Sequence, residues 1–267
     1  MDKTITYLSA NIFYRITGQG HAVVLIHGFA EDGTIWNNQA AYLAKNFSLI
    51  IPDLPGSGKS TTAAGYPLSI DDHADCIKAI LDAEKITSCS IIGHSMGGYI
   101  SLAFAEKYRS MLKAFGLFHS TAFADTEEKK ASRRKNIEFI RKFGSAAFTG
   151  QSIPNLFSEH SRKKIPEIVE ELISRYDNFN PNSLVCYLEA MIQRPDRVAV
   201  LQSFPGPVLF IAGEKDTAVP LEHTLKQSHI PGLSYIHILE NAGHFGMLEA
   251  STYCNQVLNK FLLETMH

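Results

Sequence analysis

The residue most suited to act as a reagent is Ser95, in the stretch SIIGHSMGGY, where glycines stand two positions before it and two after it. An apolar run ends just before this serine and an amphipathic stretch starts just after it. In a strand–turn–helix setting that spacing has a physical purpose. The serine sits in a strained tight turn, and the small residues at 93 and 97 let neighbouring backbone pass close by. Outside that setting the same letters describe an ordinary glycine-rich turn. A serine hydroxyl is a poor nucleophile without a base, and a histidine base needs an acid to fix its tautomer and stabilise its protonated form. Asp216 follows the apolar run in PVLFIAGEKD, and His244 lies in ENAGHFGMLE after the run in SYIHILE. Each stands where a strand ends, and the chain order is Ser, Asp, His. Taken singly, Asp216 also suits the cap of a helix beginning near Pro220, and His244 suits a solvated loop.

A nucleophile attacking a carbonyl also needs donors for the oxygen anion it creates. The stretch His27-Gly28-Phe29 closes the first long apolar run, and the Phe29 N–H paired with the Met96 N–H would make an oxyanion hole. His27 is read as a structural hydrogen-bonding group of that loop. For substrate contacts the apolar candidates are Phe29 and Met96, followed by His119, Trp36 and Phe123, with Phe139, Phe143 and Phe148 as further aromatics in reach.

A second motif competes for attention. LIIPDLPGSGKS ends in Gly58-Lys59-Ser60, the close of a phosphate-binding loop, but Asp53 stands where that pattern requires its first glycine. A nucleotide-binding reading explains these three residues and nothing else in the chain.

The elements that must position these groups are legible as apolar runs bounded by turn residues, at 22–29, 47–54, 89–95, 113–120, 207–213 and 233–241. Short and mostly unalternated, they predict strands covered on both faces. Helical periodicity between them, at 68–83, 97–108 and 251–263, predicts a mostly parallel sheet flanked by helices. The opening TITYLSANIFYRITG alternates and predicts an antiparallel hairpin around Ser9-Ala10-Asn11. From about 122 to 197 the strands stop and charged amphipathic helices take over. The expected organisation is therefore a core of residues 1–121 and 198–267 with a helical cap, 122–197, inserted in it.

Composition agrees with a globular chain. Of 267 residues 45% are hydrophobic and 19% charged, and 25 basic against 27 acidic residues give a net charge of −2, which favours neither nucleic acid nor an anionic membrane. Four widely spaced cysteines, Cys76, Cys89, Cys186 and Cys254, form no metal-ligand pattern and suggest reduced thiols in the cytoplasm. No apolar run approaches a membrane span, and the N-terminus lacks the apolar stretch of a signal peptide.

Taken in order and at these spacings, HGF, DLPGSGKS, GHSMGG, GEKD and NAGHF resemble the α/β-hydrolase superfamily over nearly the whole chain. The small size, short helical cap and PGPVLFIAGEKD are most similar to its serine esterase and enol-lactonase-like branch. The resemblance implies an α/β-hydrolase fold, a triad of Ser95, Asp216 and His244, and hydrolysis of a small, apolar ester, lactone or thioester through an acyl-enzyme, with no metal or organic cofactor. It also implies two related chemistries on the same triad, carbon–carbon bond hydrolysis and cofactor-free perhydrolysis. Serine at 95 argues against the branches that use an aspartate nucleophile. A non-catalytic binding protein on the same fold is the remaining alternative. In that frame LIIPDLPGSGKS becomes the pattern Asp53, Gly56, Gly58, Ser60 of a turn beside the oxyanion loop, and Lys59 a solvated side chain.

Overall fold

A computed structural model describes residues 1–62 and 68–266. The chain builds one eight-stranded sheet in the order β1-β2-β4-β3-β5-β6-β7-β8. Strands β1 (Asp2–Tyr7) and β2 (Ala10–Thr17) form the expected antiparallel hairpin. Its turn falls on Leu8 and Ser9 rather than on Ser9-Ala10-Asn11, because Ala10 and Asn11 already pair with Tyr7 and Thr6, and both turn residues have the positive φ that matches the twist of paired strands. The remaining strands, β3 (Ala22–Ile26), β4 (Ser48–Pro52), β5 (Cys89–His94), β6 (Leu112–Phe118), β7 (Val208–Gly213) and β8 (Ser234–Leu239), run parallel. Strands β3, β5 and β7 are buried throughout, which explains why they read as continuous apolar runs rather than alternating ones.

Helices α1 (Asn37–Leu43), α2 (Ile70–Ala83) and α3 (Met96–Lys107) cover this sheet together with the later α9 (Leu221–Gln227), α10 (Gly246–Glu249) and α11 (Ser251–Glu264). Helix α2 opens with a reciprocal capping box: Ser69 Oγ accepts from the Asp72 N–H, and the Asp72 carboxylate accepts from the Ser69 N–H. Helix α3 is buried nearly all round, as a helix packed directly behind β5 must be.

Between β6 and β7 the chain is helical: α4 (Glu127–Leu156), α5 (Glu159–Lys164), α6 (Pro166–Tyr176), α7 (Pro181–Gln193) and α8 (Val198–Ser203). Helix α4 is interrupted at Gly144, where φ is 80° and ψ 176°. The Arg197 N–H donates to Ala122 O at 2.8 Å, so this excursion leaves and rejoins the sheet at one point. Arg194 lies 3.8 Å over the Tyr99 ring of α3 and pairs with Asp125, and Arg197 pairs with Asp71 of α2 and Glu106 of α3. Among the described residues no helix is long and apolar enough to cross a membrane.

Candidate active site

Ser95 occupies the junction of β5 and α3 at φ 50°, ψ −115°, a conformation that a residue with a side chain adopts only when its surroundings impose it. The surroundings are identifiable. Its N–H donates to Phe118 O at 2.9 Å, and its carbonyl accepts from Ser120 Oγ at 2.7 Å and from the Gly98 N–H at 2.9 Å. The flanking glycines are needed because backbone crosses there. A Cβ on Gly93 would lie 2.2 Å from Gly97 O, and one on Gly97 would lie 2.5 Å from Ile26 O.

Gly28, after β3, is so close to the elbow that a Cβ on it would lie 3.1 Å from Ser95 Cβ, which brings the Phe29 loop against the serine. The Gly28 N–H is occupied by Glu31 Oε2 at 2.7 Å. Met96 is the first residue of α3, where backbone N–H groups lack intrahelical partners. His27 is fully buried. Its Nδ1 donates to Gly28 O at 2.8 Å and its Nε2 accepts from the Leu54 N–H at 2.9 Å, so the ring ties this loop to the next one. The glycine-rich turn buttresses the same loop through Asp53, which accepts from the N–H groups of Gly33 and Lys59, each at 2.8 Å. Lys59 itself projects over the Phe13 ring with its side chain exposed.

His244 and Asp216 meet directly: His244 Nδ1 donates to Asp216 Oδ2 at 2.8 Å, and both residues are buried. The two readings of Asp216 are both realised, one on each oxygen, because Oδ1 accepts from the N–H groups of Ala218 and Val219 at 2.8 and 2.9 Å. Burial alone would raise the Asp216 carboxyl. His244 and His119 beside it more than reverse this and hold it well below the usual carboxylate range. His244 is fixed from behind by its N–H, which donates to Leu156 O of α4 at 2.7 Å. Glu249 gathers the rest of that loop by accepting from the N–H groups of Gly243, Phe245 and Ser158.

Two further groups are central to this arrangement, and the sequence singled out neither the His94–Glu31 pair nor the supporting place of His119. His94, fully buried, has its Nδ1 3.0 Å from Glu31 Oε2 and its Nε2 2.9 Å from His244 O. Both partners are acceptors, so both ring nitrogens carry protons and the buried pair is ionised. Burial opposes each charge, but the mutual attraction prevails, raising His94 and lowering Glu31 from their ordinary values. This pair joins the Gly28–Phe29 loop to the His244 loop, and the His244 ring centre lies 4.9 Å from that of His94. The second group is His119, which the sequence suggests as a substrate contact. It is buried, at φ 50°, with Nδ1 2.9 Å from Asp216 Oδ2 and 3.2 Å from Gly213 N. The shorter contact assigns the proton to Nδ1, so Asp216 Oδ2 holds two histidine donors. The only signal in the sequence for His119 is its position at a strand end, which does not distinguish a substrate contact from a support.

Among the described residues His119, Asp216 and His244 form the one grouping whose donor atoms converge closely enough for a metal ion. Both histidines already spend Nδ1 on Asp216 Oδ2, at separations of single hydrogen bonds.

A cavity of about 600 Å³ is lined by Phe29 and Ala30 after β3, Thr217 and Ala218 next to Asp216, and Phe245 next to His244, while Ser95, Asp216 and His244 themselves lie outside its lining. Phe139, Phe148, Ile153 and Leu156 of α4 close it from the other side. Trp36 is fully buried against Phe118 and His94, Phe123 packs on His223, Phe143 is exposed and Met96 is fully buried, so with His119 these side chains lie outside the lining. Trp36 ends the 3-10 turn Gly33–Trp36 that leads into α1, and its ring packs edge-on against His94 of β5 and Phe118 of β6 rather than facing the cavity.

A family model described as the α/β hydrolase fold matches residues 21–117. The chain is 28% identical to an esterase from Thermogutta terrifontis, solved with malate bound, over all of both chains, with a TM-score of 0.94. It superposes on the enol-lactonase from Burkholderia xenovorans with a TM-score of 0.90 at 21% identity, over 98% of this chain and 100% of the other. It is 24% identical to a 2-hydroxy-6-oxo-2,4-heptadienoate hydrolase of Pseudomonas putida, covering 92% of this chain and 90% of that protein.

Proposed function

We propose that this chain, which belongs to the α/β-hydrolase superfamily, is a serine hydrolase that cleaves a small carboxylic ester, lactone or thioester through an acyl-enzyme. The observation that carries the reading is the strained elbow at Ser95, whose neighbour His94 meets the His244 carbonyl at 2.9 Å, together with the 2.8 Å hydrogen bond from His244 to the buried Asp216 carboxylate. Ser95 Oγ attacks the carbonyl carbon while His244 Nε2 takes its proton. The N–H groups of Phe29 and Met96 receive the charge that develops on the carbonyl oxygen, and removal of one such donor costs roughly 3–4 kcal/mol of barrier lowering. His244 then protonates the leaving group and activates the water that releases the acid. Asp216 keeps Nδ1 protonated throughout, so that Nε2 is the basic nitrogen. The excursion 122–197 acts as a cap over the cavity, and its Leu156 carbonyl anchors the backbone of His244. All four cysteines are free thiols, which supports the cytoplasmic setting that the sequence suggests. Hydrolysis of 4-nitrophenyl acetate by the purified protein, lost in Ser95→Ala, is the expected result; equal activity in that variant refutes the assignment.

Carbon–carbon bond hydrolysis is the second reading, favoured by the likeness to the heptadienoate hydrolase. It uses the same three residues on a ketone carbonyl.

A further inference from the structure

We infer, resting on the serine-hydrolase reading above, that the cavity bounded by Phe29, Thr217 and Phe245 selects substrates that carry a carboxylate in addition to the bond cleaved. Four residues of α4, Lys129, Ser132, Arg133 and Asn136, recur at helical spacing and therefore share one face, and all four line the cavity. With Lys135 they give the lining three cations, and it contains no aspartate or glutamate. Lys129 Nζ donates to Ala218 O at 3.1 Å, which fixes the ammonium two residues from Asp216. None of the ion pairs among the described residues uses it, and two of its three donors are left for a ligand.

The charge of Arg133 is only partly compensated. Asp125 accepts from Arg133 at 2.6 Å and from Arg194 at 2.9 Å, so one carboxylate serves two guanidiniums. Asp196, whose charge acts on Arg194, is exposed and accepts from the N–H groups of Ala124 and Val198. The face of α4 thus presents uncompensated positive charge to a cleft whose inner wall, Phe29, Phe148 and Phe245, is apolar. An apolar wall excludes water and strengthens the attraction between a fixed cation and a substrate anion. A neutral ester of the same length fills the apolar part equally well and leaves the cations solvated, so selection falls on the charge.

The test compares half-esters with neutral esters of equal length. Monoethyl succinate, glutarate and adipate are assayed beside ethyl butanoate, pentanoate and hexanoate at low ionic strength, with acid release followed in a pH-stat. For at least one length the half-ester should exceed its neutral partner about tenfold in kcat/KM, mainly through KM. That ratio should fall about tenfold in Lys129→Gln and further in Lys129→Glu, whereas Lys142→Gln, on the same helix but outside the lining, keeps it. Neutral esters cleaved as well as half-esters, a ratio unmoved by both Lys129 variants, or no half-ester cleaved by protein whose Ser95 reacts with a fluorophosphonate overturns the inference and leaves the hydrolase reading standing. Folded protein whose Ser95 does not react overturns both.

Discussion

Asp216 divides its work between its oxygens: Oδ1 holds the turn at 216–219 and Oδ2 receives His244 and His119. Asp216→Asn retains the turn and removes the charge, and it should lower kcat for 4-nitrophenyl acetate by roughly 10³–10⁴-fold, measured beside an unchanged circular dichroism spectrum. Because the folded-state value of Asp216 is depressed, its contribution to stability is present above the ordinary carboxylate range and is lost as pH falls through the depressed value. Urea midpoints on the acid side should therefore converge between wild type and Asp216→Asn. His94 behaves in the opposite sense. Its folded-state value is raised, so its contribution is complete below the ordinary histidine range and is lost as pH rises through the raised value. Replacing it by leucine strands Glu31 as a buried unpaired charge, and the expected loss is about 3–5 kcal/mol at pH 6, read from urea unfolding.

At the scale of elements, the strand-to-helix elbow is the part most constrained by backbone. A methyl at residue 93 meets Gly97 O and Ser101 Oγ at 2.2 and 2.4 Å, so Gly93→Ala should displace Ser95 and abolish fluorophosphonate labelling. The break at Gly144 is different in kind: a methyl there would meet nothing within 4 Å, but the backbone φ is 80°. Gly144→Ala should cost about 1–3 kcal/mol from conformation alone, visible as a lower Tm with esterase activity retained. These elements explain what the sequence made legible. Continuous apolar runs marked the parallel strands because both sheet faces are covered, and the Ser95 motif was readable because its glycines answer to backbone crossing. His94 and Glu31 were not readable as a pair, because 63 residues separate them and only the sheet order brings them together. Helix α4 read as a charged amphipathic segment, but which of its faces meets the cavity depends on how it docks on the loops beneath.

For the whole molecule, the coupling between the sheet and the helices above it runs through a few buried charges. Arg194 stacks on Tyr99, pairs with Asp125 and donates to Phe123 O. Arg194→Ala should destabilise the protein by about 3–5 kcal/mol and loosen the segment that carries Leu156, so that KM for esters rises together with the loss of Tm. Through the Leu156 carbonyl the same helices hold His244, which in the proposed mechanism ties substrate enclosure to the placement of the base. All of this converges on one residue, and its reactivity can be read without knowing the substrate. Intact-mass analysis and peptide mapping after treatment with a fluorophosphonate should show one adduct, on Ser95, absent in Ser95→Ala and strongly slowed in Asp216→Asn. Folded protein that takes up no adduct, or takes it up at another residue with Ser95 unmodified, would contradict the assignment of Ser95 as nucleophile.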